Sequence, residues 1–136
     1  MHIQPYLFLD GRCEQAIEFY KKAIGAKVQM LQRFKDSPEK NDQCAPSDLN
    51  KVMHAQIGVG DTTVLMSDGE AKGQPEFKGF ALSLYAATEA EAERLFAALS
   101  DGGNVRMPLT KTFFSPRFGM LHDRFGVMWM VLVKMA

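Results

Sequence analysis

A displacement of 77 residues lays one half of this chain on the other: Phe19 falls on Phe96, Gly25 on Gly102, Val28 on Val105 and Met30 on Met107. Each half opens on a strand-like run, at 3–9 and again at 79–87. A capped amphipathic helix follows each run and closes at Gly25 or Gly102. Further apolar alternation then leads to a hairpin turn in both halves. This predicts βαβββ followed by βαβββ, an α+β fold. Two such modules can curl one mixed sheet around a shared cavity, with the helices on its outer face.

The spacing and capping carry the element assignments. Ala16, Ile17, Phe19, Tyr20, Ala23 and Ile24 form one apolar helical face. Gly25 suits the left-handed residue that ends a helix. Val28, Met30 and Leu31 begin the next strand. Val52 to Ile57 and Thr62 to Met66 read as a hairpin turned at Gly58-Val59-Gly60-Asp61. Phe80 to Tyr85 reads as the strand that opens the second half. Thr88 and Glu91 have the spacing of a capping box. Ala92, Leu95, Phe96 and Leu99 face the core. Val105 to Leu109 restarts a strand. Phe118 to Leu121 and Val127 to Val133 form the last hairpin, turned at Asp123-Arg124-Phe125-Gly126.

Residues 35–51 are polar and turn-rich, without periodicity. A loop that long is a lid, a dimer arm or a plain flexible insertion. Residues 69–78 read as a linker. The 136 residues therefore predict one domain, with module one at about 1–68 and module two at about 79–136.

Composition narrows the partners. Sixteen basic and sixteen acidic residues cancel, so nothing favours nucleic acid or an anionic membrane. No apolar run approaches the roughly 20 residues that span a bilayer. The N-terminus lacks the pattern of a signal peptide, and a cytoplasmic location is expected. Cys13 and Cys44 are too few and too far apart for a disulfide framework or a zinc site. A helix N-terminus lowers a thiol pKa, so Cys13 reads either as reactive or as a bystander at a helix entry.

Several stretches resemble the PhnB-like branch of the vicinal oxygen chelate superfamily, which includes glyoxalase I, bleomycin-resistance proteins and extradiol dioxygenases. The branch is also labelled the 3-demethylubiquinone-9 3-methyltransferase domain. The resemblance rests on Pro5 to Phe8 with Cys13 to Tyr20, on Met53-His54-Ala55 with Gly60-Asp61 and Leu65 to Asp68, and on Arg117 to Met120 with Asp123 to Met130. It covers nearly the whole chain. It implies the two-module fold, a cavity and a homodimer. It also implies four inward ligand positions for a divalent metal, falling near Gln4, Met66, Gly79 and Met130. Glycine offers no side chain, and thioethers are soft donors. The expectation is therefore no cofactor, with a divalent metal disfavoured. No glycine-rich βα turn of the kind that holds an adenosyl cofactor is present.

The remaining chemistry is sparse. His54 lies in a strand, sharing a face with Gln56 and alternating with Met53, Ala55 and Ile57. It is either a structural histidine or a pocket residue for binding and proton transfer. His2 reads as solvated and His122 as a surface residue. Asp68 either caps a turn or contacts a ligand. Arg117 either grips a carboxylate or phosphate, or is a solvated arginine or a partner of Asp123. On the last strand Met128, Met130 and Leu132 share one face, while Trp129, Val131 and Val133 pack under the helices. Tyr6, Met66, Met128 and Met130 then form a soft wall, which either receives an apolar ligand or only fills space.

The expected function is binding of an unknown small molecule, with Gln4, Tyr6, Met66, Asp68, Arg117, Met128 and Met130 as ligand contacts and His54 as the catalytic candidate. One alternative is an enzyme of lyase, transferase or oxygenase type, using His54 and Gln4 at a relocated or metal-independent site. A structural dimer is a third class.

Overall fold

The computed structural model describes residues 1–37, 48–69 and 75–135. Cys44 and most of the expected loop and linker lie outside the described residues. The chain divides into two compact units, Met1–Pro75 and Glu76–Ala136.

Among the described residues the first unit runs β1 (Tyr6–Phe8), α1 (Cys13–Ile24), β2 (Lys27–Arg33), β3 (Val52–Val59) and β4 (Thr62–Ser67). The second runs β5 (Leu82–Ala86), α2 (Glu89–Ser100), β6 (Asn104–Thr110), β7 (Phe118–His122) and β8 (Met128–Val133). Each unit is one βαβββ module, and the fold is α+β with two tandem modules. The sheet orders correspond: β1-β4-β3-β2 and β5-β8-β7-β6. In each sheet the first strand pairs parallel with the fourth, and the other pairings are antiparallel.

Burial alternates along the central strands because one sheet face carries the helix. In module one Leu7, Ala55, Ile57, Val64 and Met66 are buried on that side, as are Ala16, Ile17, Tyr20 and Ala23 of α1. In module two Trp129 and Val131 are buried there, with Leu95, Phe96 and Leu99 of α2. The close approach is visible at Gly119, where an added Cβ would lie 2.6 Å from a ring carbon of Phe96. Each fully buried Leu, Ile, Val or Met contributes about 1.5–3 kcal/mol.

The two helices start differently. Thr88 Oγ1 accepts from the Glu91 amide at 3.1 Å, the expected cap. The Glu91 carboxylate accepts from the amide of Ala87, one residue earlier than a capping box requires. Helix α1 has no side-chain cap from its own N-cap residue, Arg12. Its cap comes from the end of β4: Asp68 Oδ1 accepts from the amides of Gly11 at 2.6 Å and Cys13 at 2.9 Å. Gly25 ends α1 at φ 69°, as its position required.

The largest boundary shifts fall on three strands. β1 is shorter than 3–9, although the amides of Leu65 and Leu9 extend its pairing to Pro5 O and Ser67 O. β3 runs on to Val59, so the hairpin turns on Gly60 and Asp61 alone. β5 starts at Leu82 rather than Phe80.

Candidate functional site

The sheet face away from the helix is where partly accessible side chains collect. Cross-strand register defines its rows, since directly paired residues point to the same side. In module one Tyr6 pairs with Leu65, Leu65 with Gln56, and Gln56 with Met30. In module two Ser83 pairs with Met130, Met130 with Met120, and Met120 with Met107. The rows correspond strand for strand. They differ in chemistry: the first is mixed polar and apolar, the second mostly thioether.

Module one places three polar side chains in contact. Tyr6 Oη lies 3.0 Å from His54 Nδ1, and the two rings stack with centroids 5.6 Å apart. The other imidazole nitrogen, Nε2, lies 3.3 Å from the side-chain amide nitrogen of Gln56. Phe8 adds an aromatic flank, its centroid 4.7 Å from that of Tyr6. All three polar residues are half-buried, between a structural core and a solvated surface. The period of two placed His54 and Gln56 together. Tyr6 is 48 residues from His54, so only sheet pairing joins them.

Met66 does not belong to this face. It pairs in parallel with Leu7, and both are buried on the helix side. The module-one counterpart of Met130 is Leu65, because Tyr6 pairs with Leu65 as Ser83 pairs with Met130. A single displacement misses this, since the connection before the final hairpin is longer in module one. Met130 and Met128 do take the face away from α2, with Trp129 and Val131 buried on the other side. Ser83 Oγ donates to Met130 Sδ at 3.9 Å. Gln4 is exposed and precedes β1 rather than lying in it. Gly79 sits at φ 81°, ahead of β5, so its backbone conformation accounts for the glycine.

Asp68 is buried and its carboxylate is occupied. Besides the two amides at α1, Val52 N donates to Oδ2 at 2.9 Å. Arg117 does not pair with Asp123. Its guanidinium lies 3.5 Å from Glu89 and 3.3 Å from Glu93 on α2. The Glu89 approach satisfies the ion-pair distance without hydrogen-bond alignment, as Arg117 Nε has no hydrogen-bond partner among the described residues. Asp123 instead accepts from the amides of Phe125 and Val127 and from Trp129 Nε1 at 2.9 Å. Cys13 is fully buried, and its thiol pKa is pushed up to about 12, first by burial and then by the nearby carboxylates of Asp68 and Glu14. The reactive reading of Cys13 is thereby overturned: the raising effects exceed any lowering by the helix N-terminus.

Metal and cofactor fit follow from the donors. At corresponding positions module one carries Tyr6 and Leu65, a phenol and an alkyl group, and module two carries Ser83 and Met130, a hydroxyl and a thioether. Neither pair suits a hard divalent ion. Among the described residues no group of three or more His, Cys, Asp and Glu side chains is placed to hold a metal. At the β1–α1 turn, the amides of Gly11 and Cys13 are spent on Asp68, so that turn is not an anion cradle.

The family model described as 3-demethylubiquinone-9 3-methyltransferase matches residues 1–132. The chain belongs to this PhnB-like family. It is 31% identical over 140 residues to Protein YjdN of Escherichia coli K12, covering 98% of this chain and 95% of that one. It is 41% identical to the crystal structure of protein PA1353 from Pseudomonas aeruginosa, covering 98% of each chain, with a TM-score of 0.85. A PhnB protein from Bacillus cereus shares the fold at 24% identity, covering 98% of this chain and 99% of that one, with a TM-score of 0.80. A glyoxylase/bleomycin resistance protein/dioxygenase domain from Frankia sp. EAN1pec has the same fold at 10% identity, covering 99% of this chain and 93% of that one, with a TM-score of 0.65.

Proposed function

We propose that this PhnB-like protein binds a small apolar or aromatic molecule without a divalent metal, and that module one orients it through Tyr6, His54 and Gln56. The observation that carries this reading is the Tyr6–His54–Gln56 chain on the face away from α1, at 3.0 and 3.3 Å. Half-buried polar groups beside aromatic and aliphatic neighbours are how small-molecule sites fix orientation. Phe8, Leu65 and Met30 on the same face of module one supply apolar surface, and Met30 adds an adaptable thioether. Met128, Asp68 and Arg117 are secondary in this reading. Asp68 holds the α1 entry and Arg117 faces two carboxylates, while Met66 acts as core.

The test is a thermal-shift screen of aromatic and aliphatic compounds, followed by titration of the hits. Tyr6→Phe and His54→Ala are expected to weaken binding about tenfold, or about 1.4 kcal/mol. Unchanged affinity in both variants overturns the site. One tightly bound transition metal per subunit, found by elemental analysis, overturns the metal-free reading.

A second reading is enzymatic. The Tyr6–His54 distance allows proton transfer between phenol and imidazole, the geometry of a general acid–base pair. Turnover of a bound compound that is lost in His54→Ala separates this from simple binding. We also propose that the protein is a homodimer. Exposed Val28 and Val105 at corresponding positions on the edge strands β2 and β6 support this.

A further inference from the structure

We infer that Gln56 is a positioning residue that fixes the tautomer of His54, making the Tyr6 hydroxyl an outward donor for an acceptor oxygen on the ligand. This deepens the proposed binding site and rests on that reading for its ligand half.

The argument counts hydrogens. A neutral imidazole has one N–H and one bare nitrogen. The amide nitrogen of Gln56 only donates, and it lies 3.3 Å from His54 Nε2. Nε2 is therefore the bare nitrogen, and the ring proton sits on Nδ1. That N–H points to Tyr6 Oη at 3.0 Å, so the phenol oxygen accepts. A phenol has one proton of its own. With its oxygen accepting from His54, the Tyr6 proton is free to rotate toward a ligand. The reverse arrangement would make Tyr6 donate inward to His54 and leave the ligand no proton from the phenol.

The ligand class follows. It carries an acceptor oxygen, such as a carbonyl or ether, on a flat or apolar body that lies against Phe8 and Tyr6, whose rings are 4.7 Å apart. A ligand lacking the oxygen leaves a half-buried donor unsatisfied, a large source of discrimination.

The tautomer is read directly from long-range 1H–15N spectra of 15N-histidine-labelled protein, well above the pH range in which imidazole titrates. His54 in the wild type is expected to show a protonated-type Nδ1 and a bare-type Nε2, and Gln56→Leu is expected to lose that preference. A protonated Nε2 in the wild type, or an unchanged preference in Gln56→Leu, overturns the tautomer assignment while leaving the binding reading standing. Acetophenone and ethylbenzene, nearly equal in size, then test the ligand. Acetophenone is expected to bind about tenfold tighter, and Tyr6→Phe to abolish the difference. Equal affinity in the wild type overturns the ligand class. Binding by neither probe overturns it as well and counts against the proposed site itself.

Discussion

Cys13 shows how a residue's surroundings reverse its chemistry. Its helix-entry position favours a thiolate, yet burial and two carboxylates hold it neutral to about pH 12. The unfolded chain releases this proton near the ordinary value of 9.0, and the native chain does not. Stability is therefore fully present below pH 9 and falls as pH rises from 9.0 toward about 12. The expected slope from this one group is about 1.4 kcal/mol per pH unit within that window. Urea midpoints measured across it for wild type and Cys13→Ala check this: the variant loses less stability with pH. In the Cys44→Ser background, Cys13 is also expected to resist alkylation until denaturant is added.

At the scale of elements, the two helices solve one problem in two ways. Helix α2 is capped from within its own segment by Thr88. Helix α1 is capped by Asp68, which also holds the amide of Val52 on β3. Removing Thr88 strands one exposed donor, and Thr88→Ala is expected to cost about 1 kcal/mol. Removing Asp68 strands three donors, two of them buried, and Asp68→Ala is expected to cost about 3 kcal/mol. Denaturation midpoints that ranked the two variants equally would overturn this account. The repeat itself extends to irregularities. Both β2–β3 and β6–β7 shift register, between Val28 and Met30 and between Val105 and Met107. In each case the bulge turns the methionine to the face away from the helix, opposite Gln56 or Met120. Strict alternation from Val28 or Val105 would place these methionines on the other side.

At the scale of the whole molecule, the exposed apolar residues define the question of assembly. Val28 and Val105 are 43% and 48% exposed on edge strands, and Phe113 is almost fully exposed. Edge strands with apolar side chains are ready to pair unless covered. A homodimer is the expected state, and light scattering coupled to size-exclusion chromatography checks it. A monomeric mass at micromolar concentration overturns the proposal. Among the described residues no helix is long and apolar enough to cross a membrane.

The sequence by itself determined the elements and their order. Helical periodicity, the Gly25 stop and the Thr88 cap are local, and local hydrogen bonds and side-chain spacing decide them. It also placed His54 beside Gln56, because both lie on one strand. Only the tertiary structure decided which residues meet across strands. Tyr6 reaches His54 through sheet pairing, Asp68 reaches α1 across 55 residues, and Arg117 turns to Glu89 and Glu93 rather than Asp123. The resemblance put Met66 among the ligand contacts, and its pairing with Leu7 turns it to the helix side instead. A strand's two faces are distinguished by register. Register depends on which strands pair, and that is a property of the folded sheet rather than of neighbouring residues.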